Sequence, residues 1–345
     1  MPKCEFLGVR QGVLIQNPID RQYFAGIDIE DSYVLLCENP AYFVDARCFY
    51  AVKNSIEERG FSPVLFKGLE SIKTYLKTQK ITTLFIDYRH TTLTDYKLFK
   101  SLKVRLKDGS EQIENCRQVK TQTELDKIQK ACEITQNAFY TLVKEIKEGV
   151  TERQLADRLN ALYKSMGSSG ESFDTIVAFG ANSAIPHHKT GDTKLQKGMP
   201  ILIDTGCVFD GYLSDFTRTM FYGEPTKKFV DAYDSTLKAN LKAIDGIQEG
   251  MKTNECDEIA RQVLTSYGYG EKFTHSLGHG IGLEIHEPPT LSPKKSTVMQ
   301  NGMVFTIEPG VYFDGEFGIR IEDTVVLKDG KVERLFTDDK NLIIL

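Results

Sequence analysis

Nowhere does this 345-residue chain run through the roughly 18 consecutive apolar residues that a membrane-crossing helix needs. Nor does the stretch Met1-Pro2-Lys3-Cys4-Glu5-Phe6 set a charged segment ahead of an apolar one, as a secretory signal does, so a cytoplasmic protein is expected. Cys-x-x-Cys is missing as well. The cysteines (Cys4, Cys37, Cys48, Cys116, Cys132, Cys207, Cys256) are odd in number and scattered, which suits neither a disulfide framework nor a zinc knuckle and reads as reduced, small apolar side chains. No basic run stands out and the net charge is −5, which argues against nucleic acid or an anionic membrane as the partner. With low-complexity tracts and long linkers also absent, 41% hydrophobic and 26% charged residues describe an ordinary globular protein, long enough for two domains.

What the chain does have is one stretch written twice. Gly198-Met199-Pro200-Ile201-Leu202-Ile203-Asp204-Thr205-Gly206 continues through Phe209-Asp210-Gly211 to Asp215. It recurs 104 positions on as Gly302-Met303-Val304-Phe305-Thr306-Ile307-Glu308-Pro309-Gly310, continuing through Phe313-Asp314-Gly315 to Glu322. Each copy reads as an apolar strand, an Asp-Gly turn and a returning strand, which is a β-hairpin. With Asp210-Gly211 at the first turn, Asp204 lies opposite Thr217 and diagonal to Asp215. A three-residue loop about Gly315 sets Glu308 opposite Glu322. Both hairpins then aim two carboxylates at one side of a sheet.

An unpaired carboxylate inside an apolar strand costs several kcal/mol. One alternative pairs each acid with a basic residue, Arg218 and Arg320 being the candidates. For four such acids on related hairpins, a cation shared among them is the better account.

Along the chain, Ser32–Cys37 and Ala41–Asp45 predict a hairpin, Phe49–Arg59 and Leu69–Leu76 helices, and Val64–Phe66 and Thr83–Ile86 strands, making a small α/β domain in which His90 is a surface or capping residue. Capping boxes at Thr121-x-x-Glu124 and Thr151-x-x-Gln154 open two amphipathic helices, the first expected to reach Glu148. Strand Thr175–Phe179 leads into a loop, 180–186, that delivers His187 and His188. Helices are expected after Pro225 and over Thr253–Tyr267. The domain boundary is placed before the first long helix, giving 1–118 and 119–345.

Five of the six histidines lie between His187 and His286. On a helix His275 and His279 would share a face, as in a His-Glu-x-x-His zinc site. However, no Glu follows His275 and four glycines interrupt the run, so strand and loop fit better. One neutral imidazole added to four carboxylates favours a hard or borderline divalent ion, Mn²⁺ first, with Co²⁺, Fe²⁺ or Zn²⁺ possible. Five ligands suit a two-metal centre with bridging carboxylates, which does amide or ester hydrolysis best.

These residues resemble the pita-bread metallopeptidases, the family of aminopeptidase P, prolidase and methionine aminopeptidase. The resemblance is carried by Asn182 to His188, Asp204-x-Gly206 to Arg218, His275 to Glu287, Ile307-Glu308-Pro309-Gly310, and Gly318-Ile319-Arg320-Ile321-Glu322-Asp323. Tyr23-Phe24-x-Gly26 and Asp45-x-Arg47 are similar to that family's amino-terminal domain. The resemblance implies an α/β (α+β) fold, with a catalytic domain of two pseudo-twofold halves preceded by a smaller creatinase-like domain.

It also implies two divalent metal ions on Asp204, Asp215, His279, Glu308 and Glu322, with Asp215 and Glu322 bridging. Glu308 would assist proton transfer, and His187 and His286 would contact the scissile bond. Arg320 would orient Glu322, bind substrate or hold the hairpin by an ion pair. The expected activity is that of an Xaa-Pro aminopeptidase, with Xaa-Pro dipeptidase (prolidase) as the alternative, and methionine removal or a non-catalytic binding protein behind them. Its substrates would be peptides with proline in second position, and the assembly a homodimer.

Overall fold

A computed structural model describes residues 7–345; Met1–Phe6, with Cys4 and the reading of a missing signal sequence, lie outside the described residues. The chain divides into two compact units, 1–117 and 118–345. Among the described residues no helix is long and apolar enough to cross a membrane.

The first unit is a six-stranded mixed sheet of β1 (Gln11–Ile15), β2 (Tyr33–Leu36), β3 (Ala41–Asp45), β4 (Ser62–Phe66), β5 (Thr83–Ile86) and β6 (Arg105–Asp108), in the order β4-β3-β2-β1-β5-β6. Helices α1 (Pro18–Ala25), α2 (Ala46–Glu58), α3 (Leu69–Thr78) and α4 (Leu93–Lys100) connect strands, and α5 (Ser110–Gln118) follows β6. Alternation along β1 feeds two cores. Val13 and Ile15 join Phe24 and Ile56, while Leu14 joins Ile72 and Leu76. Helix α2 starts earlier than expected because Asp45 caps it, accepting from the Arg47 amide. His90 is exposed and its ring contacts Asp87.

In the second unit, α6 (Gln122–Val143) and α7 (Glu152–Ser165) pack with β7 (Gly170–Glu171), β8 (Ile176–Phe179), β9 (Met199–Thr205), β10 (Cys207–Phe209), β11 (Tyr212–Leu213) and β12 (Phe216–Tyr222) around one core. Around a second core α8 (Lys227–Gly246) and α9 (Thr253–Ser266) pack with β13 (Gly278–Gly280), β14 (Glu287–Leu291), β15 (Val304–Ile307), β16 (Gly310–Phe313), β17 (Phe317–Arg320), β18 (Asp323–Lys328) and β19 (Lys331–Arg334). Both capping boxes form, at Thr121 and Thr151. Helix α6 stops at Val143, short of Glu148, because Gly149 and Val150 leave the helix to exchange backbone hydrogen bonds with Leu195. Local helix preference yields to that sheet-like contact.

The hairpins have the expected register. Thr217 faces Asp204 in the β9–β12 ladder, and Phe209 faces Tyr212 in the β10–β11 continuation. Asp210-Gly211 is left as the two-residue turn, with φ of 48° and 83°, the doubly positive geometry that matches strand twist. In the second copy Ile307 faces Asp323 and Phe313 faces Phe317, so Asp314-Gly315-Glu316 is the loop. Glu308 and Glu322 occupy equivalent places in the gap between those two ladders.

Candidate active site

Period-two alternation puts Asp204 and Thr217 on one face of the first hairpin and Arg320 and Glu322 on one face of the second. Asp204, Arg320 and Glu322, together with Asp215, His187, His275, His279, His286 and Glu308, line a cleft of about 510 Å³, whose remaining wall includes Phe173, Ile176, Pro186 and Ile285. Asp215 and Glu322 are buried at its floor. His187 and His286 are exposed at its mouth.

His279 reaches the floor from β13. The chain passes so close to its neighbours that a Cβ at Gly278 would lie 2.0 Å from the Thr306 carbonyl oxygen, and one at Gly280 2.4 Å from that of Pro288, which explains the glycines flanking the histidine. The glycine-rich run is thus strand and loop. The His279 Nδ1 faces the Gly280 carbonyl at 3.1 Å, so its proton sits there and the Nε2 lone pair points inward. That lone pair meets Glu308 Oε1 at 3.5 Å and Asp215 Oδ2 at 3.6 Å.

Electrostatics make this arrangement unstable alone. Burial, then the neighbouring acids, push the Asp215 and Glu322 carboxyls well above the ordinary carboxylate range. Burial lifts Glu308 to about 8 against the pull of Arg320. Burial, with His286 nearby, lowers His279 to about 3, leaving a neutral imidazole. Ligand atoms of Asp215, His279 and Glu322 lie within 4.8 Å of one another, and Asp204 Oδ1 is buried without a hydrogen-bond partner. Acceptors aimed at acceptors across such distances fit a divalent cation between them.

This has a measurable consequence in chelated protein. Glu308 keeps its proton in the folded state up to about pH 8 but loses it near 4.5 when unfolded. Between those values the folded state binds more protons, so raising the pH favours unfolding. Melting curves with chelator should therefore show stability falling across that window. Added Mn²⁺ should abolish the trend, because ligands bind metal deprotonated. Flat stability in chelator would contradict the burial of these acids.

Of the two candidate ion-pair arginines, Arg320 does meet a site acid. Its Nη2 donates to Asp204 Oδ2 at 2.6 Å and its Nη1 to the Tyr312 hydroxyl at 2.9 Å. His275 Nδ1 faces the Ser276 carbonyl, so its Nε2 accepts from Tyr312 at 2.9 Å. Burial, aided by Arg320, lowers His275 to about 4. Arg218 belongs elsewhere: it pairs with Asp323 and Asp338. Among the described residues no lysine or arginine pairs with Asp215, Glu308 or Glu322. His188 turns away from the cleft toward Glu152, at 3.0 Å.

Two supporting residues carry no sequence signal of their own. Tyr312 reads only as a strand aromatic. Asn240, fully buried on α8, donates to the Ile307 and Ile321 carbonyls at 3.0 and 3.1 Å, each one residue before a site glutamate. Its position in the amphipathic stripe of α8 reads as an ordinary helix residue.

Paired hairpins presenting acids and one neutral histidine in a cleft with two exposed imidazoles define a metal-dependent hydrolase. The metallopeptidase family M24 model matches residues 126–329, and the creatinase/prolidase N-terminal domain model matches 10–119. The chain belongs to metallopeptidase family M24, and it is a peptidase that uses divalent metal ions. Similar proteins include an Xaa-Pro dipeptidase of Pyrococcus furiosus, 35% identical over 96% of this chain and 94% of that one. Among solved structures, an Xaa-Pro dipeptidase from Bacillus anthracis superposes with a TM-score of 0.93 at 33% identity, covering 97% and 95% of the two chains. An X-Pro aminopeptidase from Thermotoga maritima gives 0.90 at 32% identity, covering 97% of each.

Proposed function

We propose that this protein is an Xaa-Pro dipeptidase whose residues 119–345 form the catalytic domain and 1–118 an accessory domain. The observation carrying this reading is the convergence of Asp204, Asp215, Glu308, Glu322 and the neutral His279 in one cleft, in a chain whose relatives include dipeptidases of that name. These five residues hold two divalent ions, Mn²⁺ suiting the oxygen-rich set best, ahead of Co²⁺, Fe²⁺ or Zn²⁺. Bound there, the ions supply Lewis acidity, acidifying a water and polarising the scissile carbonyl.

The chain's own groups do the rest. Glu308 accepts the proton of the attacking water and returns it to the leaving nitrogen, a step that matters because an X-Pro amide has no N–H and a poor leaving group. His187 and His286, exposed at the mouth, donate to the carbonyl oxygen as it gains charge. Arg320 holds Asp204 in place, with Tyr312 steadying the guanidinium. Phe173, Ile176, Pro186 and Ile285 offer the apolar wall that a proline ring packs against. A cytoplasmic homodimer completes the reading.

One observation favours the aminopeptidase reading instead. Among the described residues lining the cleft, Arg320 is the only lysine or arginine, and it is committed to Asp204 and Tyr312. A dipeptide brings its C-terminal carboxylate into the cleft, whereas a longer peptide carries that charge outside.

Peptides with proline or alanine in second position, each as dipeptide and longer peptide, with and without Mn²⁺, test both readings. Metal-dependent cleavage of Xaa-Pro dipeptides supports the first and preference for longer proline peptides the second. Cleavage of neither points to methionine removal or a binding protein. His286→Ala should lower kcat roughly 10²-fold, as loss of an oxyanion donor does. A change confined to KM would assign His286 to uniform substrate binding.

A further inference from the structure

Thr151 caps α7, which makes Glu152 the first helical residue, a place where an acid normally sits in solvent and favours the helix dipole. Glu152 is instead fully buried, and among the described residues no lysine or arginine pairs with it. Its Oε1 accepts from the Phe179 amide at 2.9 Å and from Asn182 Nδ2 at 2.8 Å. Its Oε2 accepts from the Gly191 amide and is paired with His188 Nε2, both at 3.0 Å. A carboxylate has about four lone-pair positions, so its capacity is filled. Every donor comes from segment 179–191, which carries His187 to the mouth of the cleft.

The other half of the unit meets the same requirement differently. Thr151 bridges Lys194 as Lys252 bridges Val298. The amide of Glu152 donates to the Thr193 carbonyl as that of Thr253 does to Thr297. Thr253, equally buried, accepts one hydrogen bond, from the Thr297 amide at 3.1 Å. The fold is therefore content with a threonine here. What the first half adds is the histidine-bearing segment, and with it a buried carboxylate that is costly unless fully paired.

The far side of that segment is fixed too. Ser183 Oγ accepts from the Gly318 amide at 2.9 Å, and a Cβ at Gly318 would lie 2.0 Å from the Ser183 carbonyl oxygen. Segment 179–191 thus spans from Glu152 to β17, the strand that presents Arg320.

We propose that Glu152 is a positioning residue for catalysis, acting through segment 179–191 to set His187 over the scissile bond. The proposal rests on the reading that His187 stabilises the reacting carbonyl. Glu152→Gln keeps the shape but turns one acceptor atom into a donor facing other donors. It should lower kcat roughly 10- to 100-fold, the scale on which about 1 Å of misplacement acts. KM and Mn²⁺ affinity measured by calorimetry should move by less than about threefold. The double variant Glu152→Gln/His187→Ala should be no slower than His187→Ala alone. Thr253→Val should lower the melting temperature without lowering kcat.

Wild-type kcat in Glu152→Gln, or a double variant whose losses multiply, would overturn the proposal. An active-as-wild-type His187→Ala would overturn the reading of His187 and the proposal with it. Should Glu152→Gln fail to fold, His188→Leu removes one donor only and must show the same non-additivity with His187→Ala.

Discussion

Asp215→Ala and Glu322→Ala should each abolish turnover, a loss of roughly 10³-fold or more, beyond the 10- to 100-fold of losing an outer partner of a metal ligand, while leaving the protein folded. Both side chains are buried, at 5% and 2% exposure, yet neither is part of an apolar core. Burial raises the pKa of each carboxyl, and repulsion from the neighbouring acids raises it further. Removing one acid relieves that repulsion, so in chelator the variants should melt no lower than the chelated wild type. The loss should appear when metal is added. Ligand binding to the folded state alone stabilises by about 2.7 kcal/mol at a hundred times the dissociation constant, and the wild type should gain on that scale where the variants gain little. Unchanged activity in either variant would sink the metal assignment.

The same repulsion explains why the site was readable from sequence. Acids in the middle of apolar strands are costly wherever they occur, and finding them twice at one spacing leaves few uses for them. Hairpin register followed from Asp210-Gly211 and from the symmetry about Gly315, because side-chain period and loop length together fix which residues face each other.

Arg218 shows what the same rule could have excluded. One residue beyond Thr217, it lies on the opposite face from Asp204, and its guanidinium duly meets Asp323 and Asp338. Glu152 was legible only as the residue after a cap. Its partners lie 27 to 39 residues away on a loop, and no local pattern encodes that distance. Helix α1 has its signals in Asn17 and Pro18, whose cap forms, but eight residues carry too little periodicity to be read. The tail of α6 failed for the opposite reason: good helix formers at Lys144 to Glu148 were overruled by the contact with Leu195.

Asp323→Asn should destabilise the protein by about 3–5 kcal/mol, the scale for breaking a buried ion pair by removing one partner. Asp323 is fully buried. Its Oδ1 accepts from Arg218 Nη2 at 2.8 Å and Arg334 Nη2 at 3.0 Å, and its Oδ2 from Lys340 Nζ at 2.7 Å. Burial alone would raise its pKa, but Arg218, Lys340 and Arg334 hold it far below the usual carboxylate range. A depressed acid contributes stability that is complete above its unfolded pKa, near 3.8, and is lost as pH falls through the folded value. At neutral pH the whole contribution is therefore present to be lost. Asparagine leaves Arg218 and Arg334 with Asp338 as their one remaining carboxylate and Lys340 with only the neutral Asn240 amide oxygen, and turns an amide N–H₂ toward one of the cations. The exposed pair Arg158–Glu145 provides the contrast, since solvent screens it and Glu145→Gln should leave the unfolding midpoint nearly unchanged. Urea titrations should show a lower midpoint at unchanged slope for Asp323→Asn. A shift no larger than that of Glu145→Gln would mean that water or rearrangement compensates the cluster. Because Arg218 also donates to the Glu322 carbonyl, loosening this cluster should in addition weaken Mn²⁺ binding in whatever fraction stays folded.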